Sequence, residues 1–262
     1  MRDCPEVLPP SEAAAGIWPW SCDNTVIQFN EVSGQKNQWD AQGYDADYNC
    51  RNTLIQFNYS HDNYGGMVLV CNDGSSSGST HNIGNIGAVV RYNISVGDAV
   101  RPRPARSGKM FSPSIHIAGP VKNTRIEHNI IWQLPVAVDS TDRTMLESDS
   151  WEGFADSTLI KGNIFVASGN SRFKMGQSTN NKFEANDYLG RYDHLPDNEG
   201  HLNGDRAGRL IAFFKRQSAA DPGKLSGLFT TRTVADGTAT GYFVNRDSII
   251  NFFQHLMVEQ NK

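Results

Sequence analysis

The residues in this sequence best suited to chemistry are Asp45 and Asp47, in the stretch "GYDADYNC". Side chains alternate along a strand, so Tyr44, Ala46 and Tyr48 fall on one face and the two carboxylates on the other. Residues two apart on a strand rise by about 6.6 Å. Like charges that close oppose each other's ionisation, so one carboxyl keeps its proton to higher pH while its neighbour stays charged. One group then donates a proton and the other activates water or attacks an electrophilic carbon. Asp40, His61 and Asp62 flank the pair in sequence and are candidates to supply a second acid or to orient a substrate. Further along, "SPSIHIAG" directs Ile115 and Ile117 inward and His116 outward, and "SRFKMG" directs Phe173 and Met175 inward and Arg172 and Lys174 outward. An imidazole and two cations share a surface with the carboxylates only if the fold stacks these strands. The intervening "GGMVLVC" is apolar at nearly every position and reads as wall.

The stacking is written into the chain as a repeat. "NTVIQFN" ending at Asn30 returns as "NTLIQFN" ending at Asn58, then as "GAVVRYN", "NTRIEHN", "STLIKGN" and "NNKFEAN", ending at Asn93, Asn129, Asn163 and Asn186. The spacing varies while the landmark persists, which marks a solenoid whose insertions leave as loops. Within each copy Val, Ile or Phe alternates with a polar residue, a period of two, and no copy carries a helical stripe. Each unit is expected to be one coil of short strands, lying about 4.8 Å from the next. Asparagine suits the corner because it tolerates a left-handed turn and can hydrogen-bond to its counterpart in the neighbouring coil.

On "NTVIQFNEVSG", "GYDADYNCRNTLIQFNYSHDNYGG" and "WEGFADSTLIKGNIFVASG" with "NKFEANDYLG", residues 24 to 186 resemble the right-handed parallel β-helix proteins of the pectate-lyase-like superfamily. The resemblance implies an all-β solenoid with a carbohydrate, usually an acidic, plant or algal polysaccharide, lying along its outer face. Paired carboxylates on such a face suggest glycoside hydrolysis, and a separation near 6.6 Å lies at the low edge of the roughly 6.5 to 9.5 Å expected for inversion. Asp45, Asp47 and His116 are the catalytic candidates; Trp39, Asp40, Tyr44, His61, Asp62, Arg172 and Lys174 are the substrate-binding ones. The catalytic patterns of the polygalacturonase branch, Asn-Thr-Asp, Asp-Asp and Gly-His-Gly, do not occur. Two alternatives stand beside hydrolysis. A lyase would hold Ca²⁺ on Asp45, Asp47 and Asp62 and use Lys174 or Arg172 as base. A non-catalytic glycan-binding β-helix would stack sugars on Trp39, Tyr44 and Tyr64. Only the lyase needs a metal, and no cofactor is expected for hydrolysis.

Composition narrows the partners. The chain has 262 residues, 38% of them hydrophobic, which is enough to bury a large core. Its formal net charge of -4 is scattered, without a basic block for nucleic acid. Mean hydropathy is -0.48, and no apolar run approaches the roughly 18 residues of a membrane span. The opening "MRDCPEVLPP" lacks an apolar signal core. The expectation is a monomer working outside the cytoplasm, secreted or periplasmic, whose leader is not in this chain.

Residues 1–23 are expected to lead into the first coil, with earlier coils absent; residues 24–186 form the β-helix, and residues 187–262 a small C-terminal loop and helical cap. In that cap "AGRLIAFFKRQS" and "DSIINFFQHLMVEQ" have helical spacing, the latter with Asp247 as N-cap, and "TATGYFVN" suits a strand. Cys22 and Cys50 each precede an anchor asparagine by eight residues, a register that permits a disulfide and equally permits two stacked thiols. Cys4 and Cys71 have no assigned partner, and no cysteine spacing suits zinc. The sequons at Asn58 and Asn93 fall on ladder positions that would not accept a glycan.

Overall fold

The computed structural model describes residues 14–74, 84–102, 104, 108, 110, 112–134, 143–197, 229–233 and 240–244, and among them every regular element is a strand. The chain winds as a right-handed parallel β-helix. On one face β1 (Val26–Gln28), β4 (Leu54–Gln56), β7 (Val89–Arg91), β10 (Arg125–Glu127), β13 (Leu159–Lys161) and β15 (Lys182–Glu184) stack in that order. A second face carries β2 (Glu31–Ser33), β5 (Tyr59–His61), β8 (Ile94–Val96) and β11 (Ile130–Gln133), and a third carries β3 (Tyr44–Ala46), β6 (Val68–Cys71), β9 (Ile115–Ala118) and β12 (Thr144–Asp149). The long β14 (Ile164–Lys174) joins them, pairing with β11 through its first residues and with β12 through its last. β16 (Asp187–Asp193) pairs along β14, and β17 (Phe229–Thr233) pairs antiparallel with β18 (Thr240–Val244), the strand read in "TATGYFVN". The two predicted C-terminal helices lie outside the described residues.

The repeat sets the register. Ile27, Ile55, Val90, Ile126, Ile160 and Phe183 occupy one inward row, each 7% exposed or less. Burying each contributes on the order of 2 kcal/mol, which makes a one-residue slip costly. Pairing reaches beyond residues 24–186 at both ends, since Ile17 already bridges Tyr44 and β16 follows Asn186.

The asparagines form a continuous ladder. The backbone N–H and the side-chain Nδ2 of Asn58 both donate to Asn93 Oδ1 at 3.0 Å, and Asn93 makes the same pair to Asn129 at 2.9 and 3.0 Å. Asn30, Asn129 and Asn163 repeat the pattern, so the ladder runs unbroken to Asn186. The left-handed turn, however, is not at the closing asparagine. Positive φ falls on the residue before it, at Phe29, Phe57, Tyr92, His128, Gly162 and Ala185, and on the first residue of the motif, at Asn24, Asn52, Gly87, Asn123, Ser157 and Asn180. The closing asparagine instead aims its side chain inward, where its amide stays paired. Asn58 and Asn93 are 1% and 0% exposed, which closes both sequons to a glycan.

No helix among the described residues is long and apolar enough to cross a membrane. Cys22, Cys50 and Cys71 are free thiols, so the register that would allow a Cys22–Cys50 bridge is not used.

Candidate active site

The third face presents an outward row that runs Asp45, Leu69, His116, Glu147, Lys174 from one coil to the next. Its upper end opens into a pocket of about 430 Å³ lined by Asp40, Asp45, Asp47, Cys71, Leu69 and the aromatic rings Trp18, Trp20, Trp39, Tyr48 and Trp151. β3 positions Asp45 because Tyr44 and Ala46 on either side of it are fully buried. The strand ends at Ala46, and the turn that follows directs Asp47 back toward its neighbour. The same turn carries Tyr48 out of the inward row and onto the pocket wall.

One oxygen of Asp45, one of Asp47 and the Cys71 sulfur all lie within 4.8 Å of one another. That is shorter than the roughly 6.6 Å strand rise, so the turn after Ala46 brings the two acids together. The Cys71 thiol donates to Asp47 Oδ1 at 3.3 Å, and the Tyr48 N–H donates to the same oxygen at 2.6 Å. Leu69, Cys71 and Ala118, with Tyr48 and Trp151 packed on them, give the cluster an apolar floor.

This environment sorts the three acids. Burial, reinforced by the charges of Asp47 and Asp40, pushes Asp45 well above the ordinary carboxylate range. Burial raises Asp47 too, but its two donors pull the other way. Asp40 is raised by burial, with His116 opposing and the Asp47 charge adding to the rise. Burial and the neighbouring carboxylates also lift the Cys71 thiol well above its usual value, so it stays protonated.

The predicted residues separate into those gathered at the pocket and those elsewhere. Asp40, Asp45, Asp47 and Trp39 line it. His116 lies beside it, 3% exposed, with Nε2 at 2.9 Å from Asp149 Oδ1 and its ring edge-on to Trp151 at 5.7 Å. Tyr44 is not a sugar platform: it is 0% exposed, and its hydroxyl sits at 3.0 and 2.9 Å from the carbonyls of Asn30 and Tyr59. Its position on the inward face of β3 requires this. His61 and Asp62 belong to the second face, where the imidazole reaches Asp62 Oδ2 at 2.6 Å and Glu31 Oε1 at 3.2 Å. Asp62 therefore does not join Asp45 and Asp47 in a calcium set. Lys174 lies four rungs from Asp45, roughly 19 Å at the inter-coil spacing, and contacts Glu147 Oε2 at 3.3 Å. Arg172, on the same stretch of β14, is exposed. Tyr64 is absent from the pocket lining, its backbone N–H donating to the Gln35 carbonyl at 2.9 Å.

Sequence reasoning missed Cys71, Asp149, Trp18, Trp20, Tyr48 and Trp151. The one signal available was composition, since four of the chain's five tryptophans line this pocket.

Fold and site together describe a parallel β-helix with an acidic, tryptophan-walled pocket on its third face. No family model matches the chain, and no solved structure matches it. Among curated proteins it is 31% identical over 163 residues to a lacto-N-biosidase of Bifidobacterium longum subsp. longum, a stretch covering 61% of this chain and 8% of that relative. The match ties the chain to a segment of a glycosidase, and the chain spans only a small part of that protein's length.

Proposed function

We propose that this chain carries the active site of a glycoside hydrolase, with Asp47 and Asp40 as the working carboxylates and Asp45 as a neutral support. The observation behind this is the convergence of three acids with unlike surroundings in one pocket walled by exposed tryptophans. Asp47 has two donors on a single oxygen, which favours its ionised form as nucleophile or base. Asp40 is raised by burial and by that nearby charge, which suits the general acid that protonates the leaving oxygen. Asp45, the most enclosed of the three, holds its proton and spares Asp47 a second charge at close range. Trp18, Trp20 and Trp39 offer apolar ring faces to the C–H surfaces of a sugar. The similarity to a lacto-N-biosidase segment supports glycans, and lacto-N-biosides among them, as the substrate class. Membership of the pectate-lyase-like superfamily, suggested by the repeat, belongs to this same proposal.

The test is a glycan panel that includes lacto-N-bioside linkages, assayed for new reducing ends with Asp40→Asn, Asp45→Asn and Asp47→Asn beside the parent chain. Asp40→Asn and Asp47→Asn should each lose roughly 10³-fold or more in rate, while Asp45→Asn, which mimics the neutral acid, should keep most of it. Unimpaired hydrolysis by the Asp40 and Asp47 variants, an unsaturated product absorbing in the ultraviolet, or binding without turnover would each sink the reading.

A further inference from the structure

Residues 34–43, which carry Trp39 and Asp40 to the pocket, belong to no strand, so their position must be imposed from outside. Neighbouring strands and turns hold its ends, with Ala41 N–H donating to Ala14 O at 3.1 Å and Gln35 N–H to Asn63 Oδ1 at 2.9 Å, while the stretch at Trp39 and Asp40 is met from two coils away. Arg101, 2% exposed, donates from Nη1 to the Asn37 carbonyl at 3.1 Å and from Nη2 to the carbonyls of Trp39 and Asp40, both at 3.1 Å. The arginine is itself anchored, because Ala99 N–H donates to Gly65 O at 2.8 Å and Val100 N–H to Asn63 O at 3.2 Å. Gly65 packs against the loop so closely that a Cβ there would lie 2.4 Å from Asp40 O and 2.6 Å from Ala41 C. A guanidinium fork and a bare glycine both meet the loop at the Asp40 carbonyl.

We infer that Arg101 is a positioning residue for the pocket, fixing where Trp39 and Asp40 stand. A planar fork satisfies three carbonyls at once, which the single ammonium of lysine cannot do in the same geometry. Burial, His116 and Asp47 weigh on the Asp40 carboxyl more than the guanidinium charge does, so the arginine acts on it chiefly by place. This rests on the reading of Asp40 as a working carboxylate, and the experiment separates the two.

Arg101→Gln, Arg101→Lys and Gly65→Ala would be prepared in the full chain. The Asp40 carboxyl would be followed by carbon-13 NMR across pH, assigned with Asp40→Asn, alongside thermal melting and the pH profile of kcat/KM on the active glycan. In Arg101→Gln the Asp40 midpoint should be displaced, upward if the loop holds and only the charge is lost, downward if the loop opens to water. kcat/KM should fall about tenfold or more, with the alkaline limb, where the general acid loses its proton, moved in the same direction. Arg101→Lys keeps the charge but not the fork, so it should lose rate with a smaller midpoint change, and Gly65→Ala should lose rate by shifting the loop from beneath. An Asp40 midpoint and a pH profile unchanged in Arg101→Gln and Arg101→Lys, in proteins that melt like the parent, would overturn the inference. A displaced midpoint in chains that hydrolyse nothing would leave Arg101 in its role and remove the glycosidase reading instead.

Discussion

The Cys71 sulfur lies 3.3 Å from Asp47 Oδ1 and 3.9 Å from Asp45 Oδ1, so a thiol from the next coil spans both carboxylates. Its proton is held by burial and by two acids that would repel a thiolate. Alkylation followed by mass spectrometry should modify exposed Cys22 first and reach Cys71 only on unfolding. Rapid modification of Cys71 in the folded chain would contradict the assignment. Cys71→Ala removes a donor that lowers both acids, and should move the Asp47 midpoint upward.

Asp98 supplies a pH dependence with a definite sign. Burial lifts its carboxyl to about 6, against the donors Ser60, Ser95 and Asn63. The native state then binds its proton more tightly than the unfolded chain does, so the contribution is complete below about pH 4 and is lost as pH rises through 6. The loss is on the order of 3 kcal/mol. Denaturant titrations between pH 4 and 7 should show stability falling in the parent chain and a flatter profile in Asp98→Asn, whose amide can still accept from Asn63 and donate to Ser95. Equal slopes would reject it.

His61 acts in a higher window. Burial disfavours its charged form, but hydrogen bonds to Asp62 and Glu31 outweigh that and lift it to about 9. Its stabilisation is full below about pH 6.5 and disappears as pH climbs through 9. His61→Asn should therefore cost stability at pH 6 and little at pH 10, a difference that melting curves at the two pH values would reveal.

The ladder should fail hardest at its middle. Asn93, 0% exposed, donates to Ile55 O at 2.9 Å and accepts from both Asn58 donors at 3.0 Å. Asn93→Ala leaves those groups unpaired in the core and should cost about 3–5 kcal/mol in urea unfolding. A cost near 1 kcal/mol would mean that water replaces the amide.

Trp20, 54% exposed, packs on Tyr48 at a centroid distance of 5.1 Å on the pocket rim. Trp20→Ala should raise KM or Kd for the active glycan about tenfold, with melting unchanged, because the ring contributes contact area rather than core. Unaltered affinity would place the sugar elsewhere.

What the sequence disclosed follows from the physics of the strands. Alternation around Tyr44, Asp45 and Ala46 gave the correct inward and outward sides, because a short strand pinned by neighbours in the core leaves no other choice. It failed two residues later: β3 stops at Ala46, so alternation no longer governed Tyr48, which turned onto the pocket wall. Stacking of His116 on the Asp45 row was legible from the repeat, whereas Asp149, at the end of β12, and Trp151, in the bend after it, were not, because that coil carries no copy of the motif close enough to fix its register. Cys71 was hidden by an apolar run that looked like wall and does build one, with a thiol at its end. The turn positions were misplaced because asparagine suits both a left-handed corner and an inward amide, and here the closing residue takes the second role.

Because the asparagine-to-asparagine bonds of the ladder each join one coil to the next, the shaft beyond Asp149 is modular. Whole turns inserted or deleted there would alter the length of the molecule while leaving the acids near its upper end untouched. Reach could thus change across descendants of this chain without any new chemistry having to arise.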